Sequence, residues 1–140
     1  VPETIIKSLR DKMPEKVYSR AMYVSQENTR TLKGALLLQE GKVQDFGLLM
    51  YQTHKGLSEK YEVSCPELDF LVNLTKDMVK VIGSRLMGGG FGGCTINLVE
   101  ETFVNEFINT ASINFENKFK IKLTPLVVDI SNGADITKSA

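Results

Sequence analysis

The chain has 140 residues and a mass of 15.6 kDa, enough for one domain with a sizeable core. Its 42% hydrophobic and 24% charged residues are ordinary folded-protein values and exclude wholesale disorder. Seventeen Lys and Arg balance 17 Asp and Glu, so the basic excess that a phosphate backbone selects is absent and nucleic acid is not an expected partner. No apolar run approaches the roughly 20 residues of a membrane span, and no charged-then-apolar opening reads as a signal peptide. A membrane is therefore not expected either. The start at Val1 rather than at a methionine suits a processed or cut piece. Cys65 and Cys94 have no close metal-type companion. With the single histidine, His54, they cannot assemble a four-ligand zinc site, and two reduced thiols in a cytoplasmic domain are expected.

The first half reads as consecutive helices. Val1 to Lys12 places Ile5, Ile6 and Leu9 on one face, and Pro14 interrupts. A long helix follows from Glu15 to Gln39, with Val17, Ala21, Val24, Thr31, Leu32, Ala35 and Leu36 near helical spacing. Gly41 suits a left-handed C-terminal cap. From Val43 to Tyr61 the apolar positions Val43, Phe46, Met50, Leu57 and Tyr61 keep the helical period. His54 lies on that stripe, as expected of a half-buried structural histidine; a general base would need a reactive partner within hydrogen-bond reach. Ser64-Cys65-Pro66-Glu67 has capping-box spacing, with proline near the first helical position. The helix it opens carries Leu68, Leu71, Val72, Met78, Val79 and Ile82 along one stripe.

The period then changes. Ser84 to Met87 looks extended, and Cys94 to Val99 alternates apolar with polar as a half-buried strand does. Glu101 to Phe119 returns to helix, with Phe103, Phe107, Phe115 and Phe119 as core rather than a base-stacking platform. Thr124 to Ile130 is a β-branched run suited to a third strand, and Asp129 reads as a turn or strand-end carboxylate rather than a metal ligand. The predicted fold class is α+β: an N-terminal run of helices, then a small antiparallel sheet covered on one face by helices.

Between the two predicted strands lies Gly88-Gly89-Gly90-Phe91-Gly92-Gly93, in which only Phe91 has a Cβ. Ordering so many glycines is entropically costly, and a tight hairpin needs one or two. Two readings stand, a plain strand–strand connection or a loop that touches phosphate or packs against one that does. Gly88, Gly90 and Gly93 satisfy G-x-G-x-x-G, but a dinucleotide fingerprint must open a helix and this loop runs into a strand. A P-loop is excluded because no Lys-Ser or Lys-Thr follows the last glycine. The Lys strand, catalytic loop and Asp-Phe-Gly of protein kinases are also missing. Arg85, beside the loop, suits a phosphate or, preferably, a structural pair with Glu67 or Asp69.

Gly83-Ser84-Arg85-Leu86-Met87-Gly88-Gly89-Gly90-Phe91-Gly92-Gly93-Cys94-Thr95 resembles the third, glycine-rich motif of galactokinases. These belong to the family of galactokinase, homoserine kinase, mevalonate kinase and phosphomevalonate kinase. Tyr61 to Asp69 is similar to a further galactokinase stretch. So are Val17 to Ala21 with Asn28, Thr31 and Leu32, and the closing Asp129 to Ala134. The resemblance covers about residues 12–136. Met87 departs from it, standing where galactokinases often carry Thr, which removes one hydroxyl donor. The family's first motif and its second, Pro-x-x-x-Gly-Leu-Ser-Ser-Ser-type phosphate loop do not occur in this chain.

The resemblance implies residues 1–140 as a single C-terminal domain, without the N-terminal catalytic domain, and a ferredoxin-like sheet of four strands, of which three can be located. It implies transfer of the ATP γ-phosphoryl group to the C1 hydroxyl of galactose by the complete cytoplasmic enzyme, with magnesium. It assigns no catalytic or metal-binding residue to this chain. Gly88, Gly89, Gly90, Phe91, Gly92 and Gly93 are expected to line the nucleotide cleft, with Arg85 and Met87 in support. The competing reading is a non-catalytic sensor or binding module on the same fold. Presence of the two missing motifs upstream of Val1 would separate them.

Overall fold

The computed structural model describes residues 1–130. A short helix α1 (Glu3–Ser8) and a 3₁₀ turn (Arg10–Lys12) precede α2 (Glu15–Gln39) and α3 (Val43–Glu59). Then come α4 (Pro66–Thr75), strands β1 (Val81–Met87) and β2 (Cys94–Val99), a 3₁₀ turn (Glu101–Phe103) and α5 (Val104–Phe119). The α+β class is as expected.

Helices α2 and α3 form a hairpin. Gly41, at φ +69°, closes α2 in a Schellman arrangement in which the Gly41 and Lys42 amides donate to Leu38 and Leu37 carbonyls at 3.1 and 2.8 Å. Along the hairpin, a Cβ at Gly56 would lie 2.3 Å from the Tyr23 ring, and one at Gly34 would lie 3.3 Å from the Phe46 ring. Aromatic faces thus fill what the glycines leave open. Met22, Tyr23 and Leu37 from α2 and Leu49 and Met50 from α3 are buried with Leu68 and Val72 of α4, Val81 and Leu86 of β1, and Ala111 and Phe115 of α5.

Strands β1 and β2 pair antiparallel, from Val81 opposite Val99 to Met87 opposite Cys94, with a bulge between Val81 and Gly83. Helix α3 lies directly on β1. A Cβ at Gly47 would sit 2.0 Å from the Ile82 carbonyl oxygen, and one at Gly83 would sit 2.6 Å from the Gly47 Cα. Helix α5 attaches to α4 through Phe70, whose ring meets Phe115 at a tilt and Phe119 edge to face, with centroids 6.4 and 5.5 Å away.

Three expectations are corrected. The N-cap of α4 is Cys65, with Pro66 at the first helical position and no side-chain cap; the Ser64 hydroxyl donates instead to Asp69 Oδ1 at 2.5 Å. A carboxylate is the stronger acceptor partner, so it takes the hydroxyl from the capping role. Helix α4 also stops at Thr75 rather than continuing to Ile82: Val79 is 95% exposed and Ile82 belongs to β1. Thr124 to Ile130 forms no strand, and Leu126, Val127, Val128 and Ile130 are all exposed. β-Branched residues favour extended backbone, but composition does not supply a hydrogen-bonding partner, and this segment pairs with neither β1 nor β2.

The Gly47 contact generates a stability expectation. Gly47→Ala drives a methyl into the Ile82 carbonyl and should lower the unfolding free energy by about 1–3 kcal/mol, the usual penalty for overpacking. Leu48→Ala, on the exposed side of the same helix, should stay within about 0.5 kcal/mol. Urea midpoints of the two variants provide the comparison, and equal midpoints would mean that α3 does not ride on β1 at this point.

Candidate functional site

The glycine segment forms the turn of the β1–β2 hairpin. Gly88, Gly90, Gly92 and Gly93 have positive φ, and so does Phe91 at +57°. Most L-residues avoid that region at a cost of roughly 1–2 kcal/mol. Phe91 is held there by its backbone: its N–H donates to the Val63 carbonyl at 2.7 Å while its ring is 77% exposed. Gly90 sits against the same carbonyl, where a Cβ would come within 2.0 Å of the Val63 oxygen. Gly89 differs in kind: its φ is not positive, and a methyl group there would meet no atom within 4 Å. The loop tip is therefore docked on the segment that leads into α4, and its first limb is open to solvent. Met87, paired with Cys94 at the mouth of the hairpin, is exposed.

His54 is the residue whose surroundings the sequence did not disclose. It is buried, and both ring nitrogens are engaged: Nδ1 accepts the Leu86 N–H at 3.2 Å and Nε2 faces Asp69 Oδ1 at 3.1 Å. Asp69 also accepts from Ser64 and from Ser58, at 2.5 and 3.0 Å. One neutral tautomer satisfies this pattern, with the proton on Nε2. Burial disfavours the imidazolium and moves His54 below its ordinary value of 6.5; the Asp69 carboxylate opposes that shift and the nearby Lys76 adds to it. A polar cavity of about 280 Å³ opens beside the pair, lined by residues including Tyr51, Lys55, Glu59 and Lys76.

Arg85 does not pair with Glu67 or Asp69. Its Nη1 donates to the Leu86 carbonyl at 3.3 Å, and its side chain lines a second cavity of about 350 Å³ with Glu27, Arg30, Thr53 and Met50. Strand alternation puts it on the face shared with Gly83, against α2 and α3 rather than α4, and Asp69 is already engaged by His54, Ser58 and Ser64. In that cavity Glu27 accepts from Arg30, and from Thr53 Oγ1 at 2.6 Å. Tyr23 lies nearby, its phenol pushed up by burial and by the Glu27 charge. Both cysteines are free thiols, Cys65 half-buried and Cys94 exposed. No helix is long and apolar enough to cross a membrane among the described residues.

The His54–Asp69 pair had no spacing signal, since the two sit on different helices. The one hint was the crowding of Ser64 and Asp69 in the stretch already singled out. The glycine loop was fully legible. Which of its glycines lies against neighbouring backbone was not.

Comparison with known proteins adds the remaining findings. Residues 35–117 match the family described as GHMP kinases C terminal. The chain is 42% identical over 115 residues to galactokinase of Bacillus subtilis, covering 82% of this chain and 30% of that protein. It is 44% identical over 95 residues to the Homo sapiens galactokinase, covering 68% of this chain and 24% of that one. The fold superposes on Lactococcus lactis galactokinase complexed with galactose at a TM-score of 0.81 and 29% identity, over 87% of this chain and 32% of that chain. This chain thus spans about 30% of the length of such relatives.

The His54 shift carries a pH consequence. Its folded value lies below 6.5, so the unfolded chain takes up the proton first as pH falls. The unfolded state then binds more protons than the folded one, and stability declines with falling pH. The contribution is complete above the unfolded value and is lost as pH falls through the folded one. Urea midpoints should drop as pH falls below the ordinary histidine value of 6.5, and His54→Asn should flatten that part of the profile. An unchanged slope in the variant would count against the neutral buried imidazole.

Proposed function

The chain belongs to the GHMP kinases C-terminal family, and from that premise we propose that it is the C-terminal domain of a galactokinase. The complete enzyme moves the γ-phosphoryl group of ATP to the C1 hydroxyl of galactose. The observation that carries this reading is the shape of the likeness: identity to galactokinases runs through most of this chain yet spans about a third or less of those enzymes. The partner is then an N-terminal domain supplying the sugar contacts and most of the phosphate contacts, in a cytoplasmic enzyme.

On this reading Gly88 to Gly93 lines the nucleotide cleft. The Phe91 N–H is taken by Val63, and the positive-φ glycines around it have no Cβ to keep an anion from their backbone N–H groups, which can oppose phosphate charge without desolvating a side chain. Phosphoryl transfer depends on such positioning and on electrostatic stabilisation rather than on covalent chemistry by the protein. Met87 holds the mouth of the hairpin closed through its pairing with Cys94, and Arg85 braces β1 from the α2–α3 side. Magnesium, when bound, neutralises charge developing on the phosphates. On this reading its ligands are ATP and residues of the partner domain, as the family resemblance implies.

Two measurements test this. The 140-residue chain alone should give no galactose-dependent ADP release with ATP and magnesium, whereas the protein extended upstream by its own coding sequence should. Turnover by the chain alone would overturn the division of labour. In the extended enzyme Gly90→Val should lower kcat/KM for ATP by about tenfold or more, because the tip can no longer dock on Val63. Gly89→Ala, which meets open space, should stay within about twofold. Equal effects of the two would reduce the glycine run to a plain connection.

A further inference from the structure

We propose that His54 is a positioning residue for the glycine loop, the closing link of a hydrogen-bonded circuit that holds the loop at both its limb and its tip. The proposal rests on the reading of the loop as part of a nucleotide cleft. The circuit starts at the Leu86 N–H, the last buried position of β1 before the loop, which donates to His54 Nδ1. His54 Nε2–H donates to Asp69 Oδ1, the oxygen that also takes the Ser64 hydroxyl. Ser64 is bonded in sequence to Val63, whose carbonyl accepts the Phe91 N–H at the loop tip. The Val63 N–H in turn donates to the Leu57 carbonyl at 3.0 Å, so this node is tied to the same helix that carries His54.

The chemistry of the ring suits the task. A loop almost without Cβ atoms has many accessible conformations, and two anchors five residues apart remove most of them. The imidazole is 6% exposed, which shields its bond to the buried Leu86 amide from water, while Asp69 at 37% exposure reaches the polar cavity. Asp69 accepts three donors, from α3 (His54 and Ser58) and from the Val63 segment (Ser64). That node keeps the two anchors at a constant separation.

A purely structural histidine would give the same bonds and no preference among substrates. The experiment therefore separates KM values, in the full-length enzyme. Ser64→Ala opens the circuit at a half-buried hydroxyl and leaves no buried donor unpaired. It should raise KM for ATP by about three- to tenfold, the range expected for one or two hydrogen bonds, with KM for galactose and the melting temperature little changed. Ser64→Thr restores the hydroxyl and should restore the ATP value. His54→Asn keeps an acceptor for Leu86 but severs Asp69, and should repeat the ATP-selective effect.

Unchanged ATP values in folded Ser64→Ala and His54→Asn, or equal rises in both KM values, would overturn the positioning role. If His54→Asn does not fold, the Ser64 pair decides alone. Wild-type enzyme without galactose-dependent turnover would instead sink the proposed function. Amide exchange at Gly88 to Gly93 then still decides the circuit: faster exchange in Ser64→Ala than in Ser64→Thr supports it, and equal exchange removes it.

Discussion

Everything in this domain is registered by the contact of Gly47 with Ile82 and Gly83, where helix backbone meets strand backbone with no side chain between them. Seven helical residues from Gly47 to His54 advance about 10.5 Å. Three strand residues from Gly83 to Leu86 advance about 10 Å. The two rises match, so a glycine contact at one end brings the His54 imidazole under the Leu86 amide at the other. A bulkier pair at the crossing would lift α3 off the strand and separate the histidine from its donor.

The hairpin's other end is governed by the Val63 carbonyl. It accepts the Phe91 amide and leaves no room for a Cβ at Gly90. The left-handed backbone at Phe91, uncommon for an aromatic residue, is the cost of that docking. Its exposed ring shows that the backbone bond rather than side-chain burial sustains the conformation. Burial and hydrogen bonding thus divide the work: the glycine crossing places the strand, and the polar node at Asp69 places the loop.

The same economy explains the two cavities. Between α3 and α4, Asp69 gathers His54, Ser58 and Ser64; between α3 and α2, Glu27 gathers Arg30 and Thr53. Each carboxylate satisfies several donors where α3 passes, and the described side chains leave no buried polar atom unpartnered. On the proposed reading, the loop can then stay poor in side chains, because its position is set from outside it.

Much was legible in the sequence. Hydrophobic period and punctuation sufficed for α2, with Pro14 before it and Gly41 after it, for α3, for most of α5, and for the β1–β2 hairpin, since these are local properties of the chain. The glycine run and its likeness to galactokinases were also plain. What failed were inferences needing a distant partner. Ser64 had capping spacing, but its hydroxyl found Asp69. Arg85 stood near two acids in sequence and turned the other way. Thr124 to Ile130 had strand composition and pairs with neither described strand. Spacing decides which face of an element a residue occupies, whereas only packing decides what lies opposite that face. The helices, the hairpin and the loop were therefore determined by the sequence alone, and the His54–Asp69 link and the close approach of Gly90 to the Val63 carbonyl only by the tertiary structure.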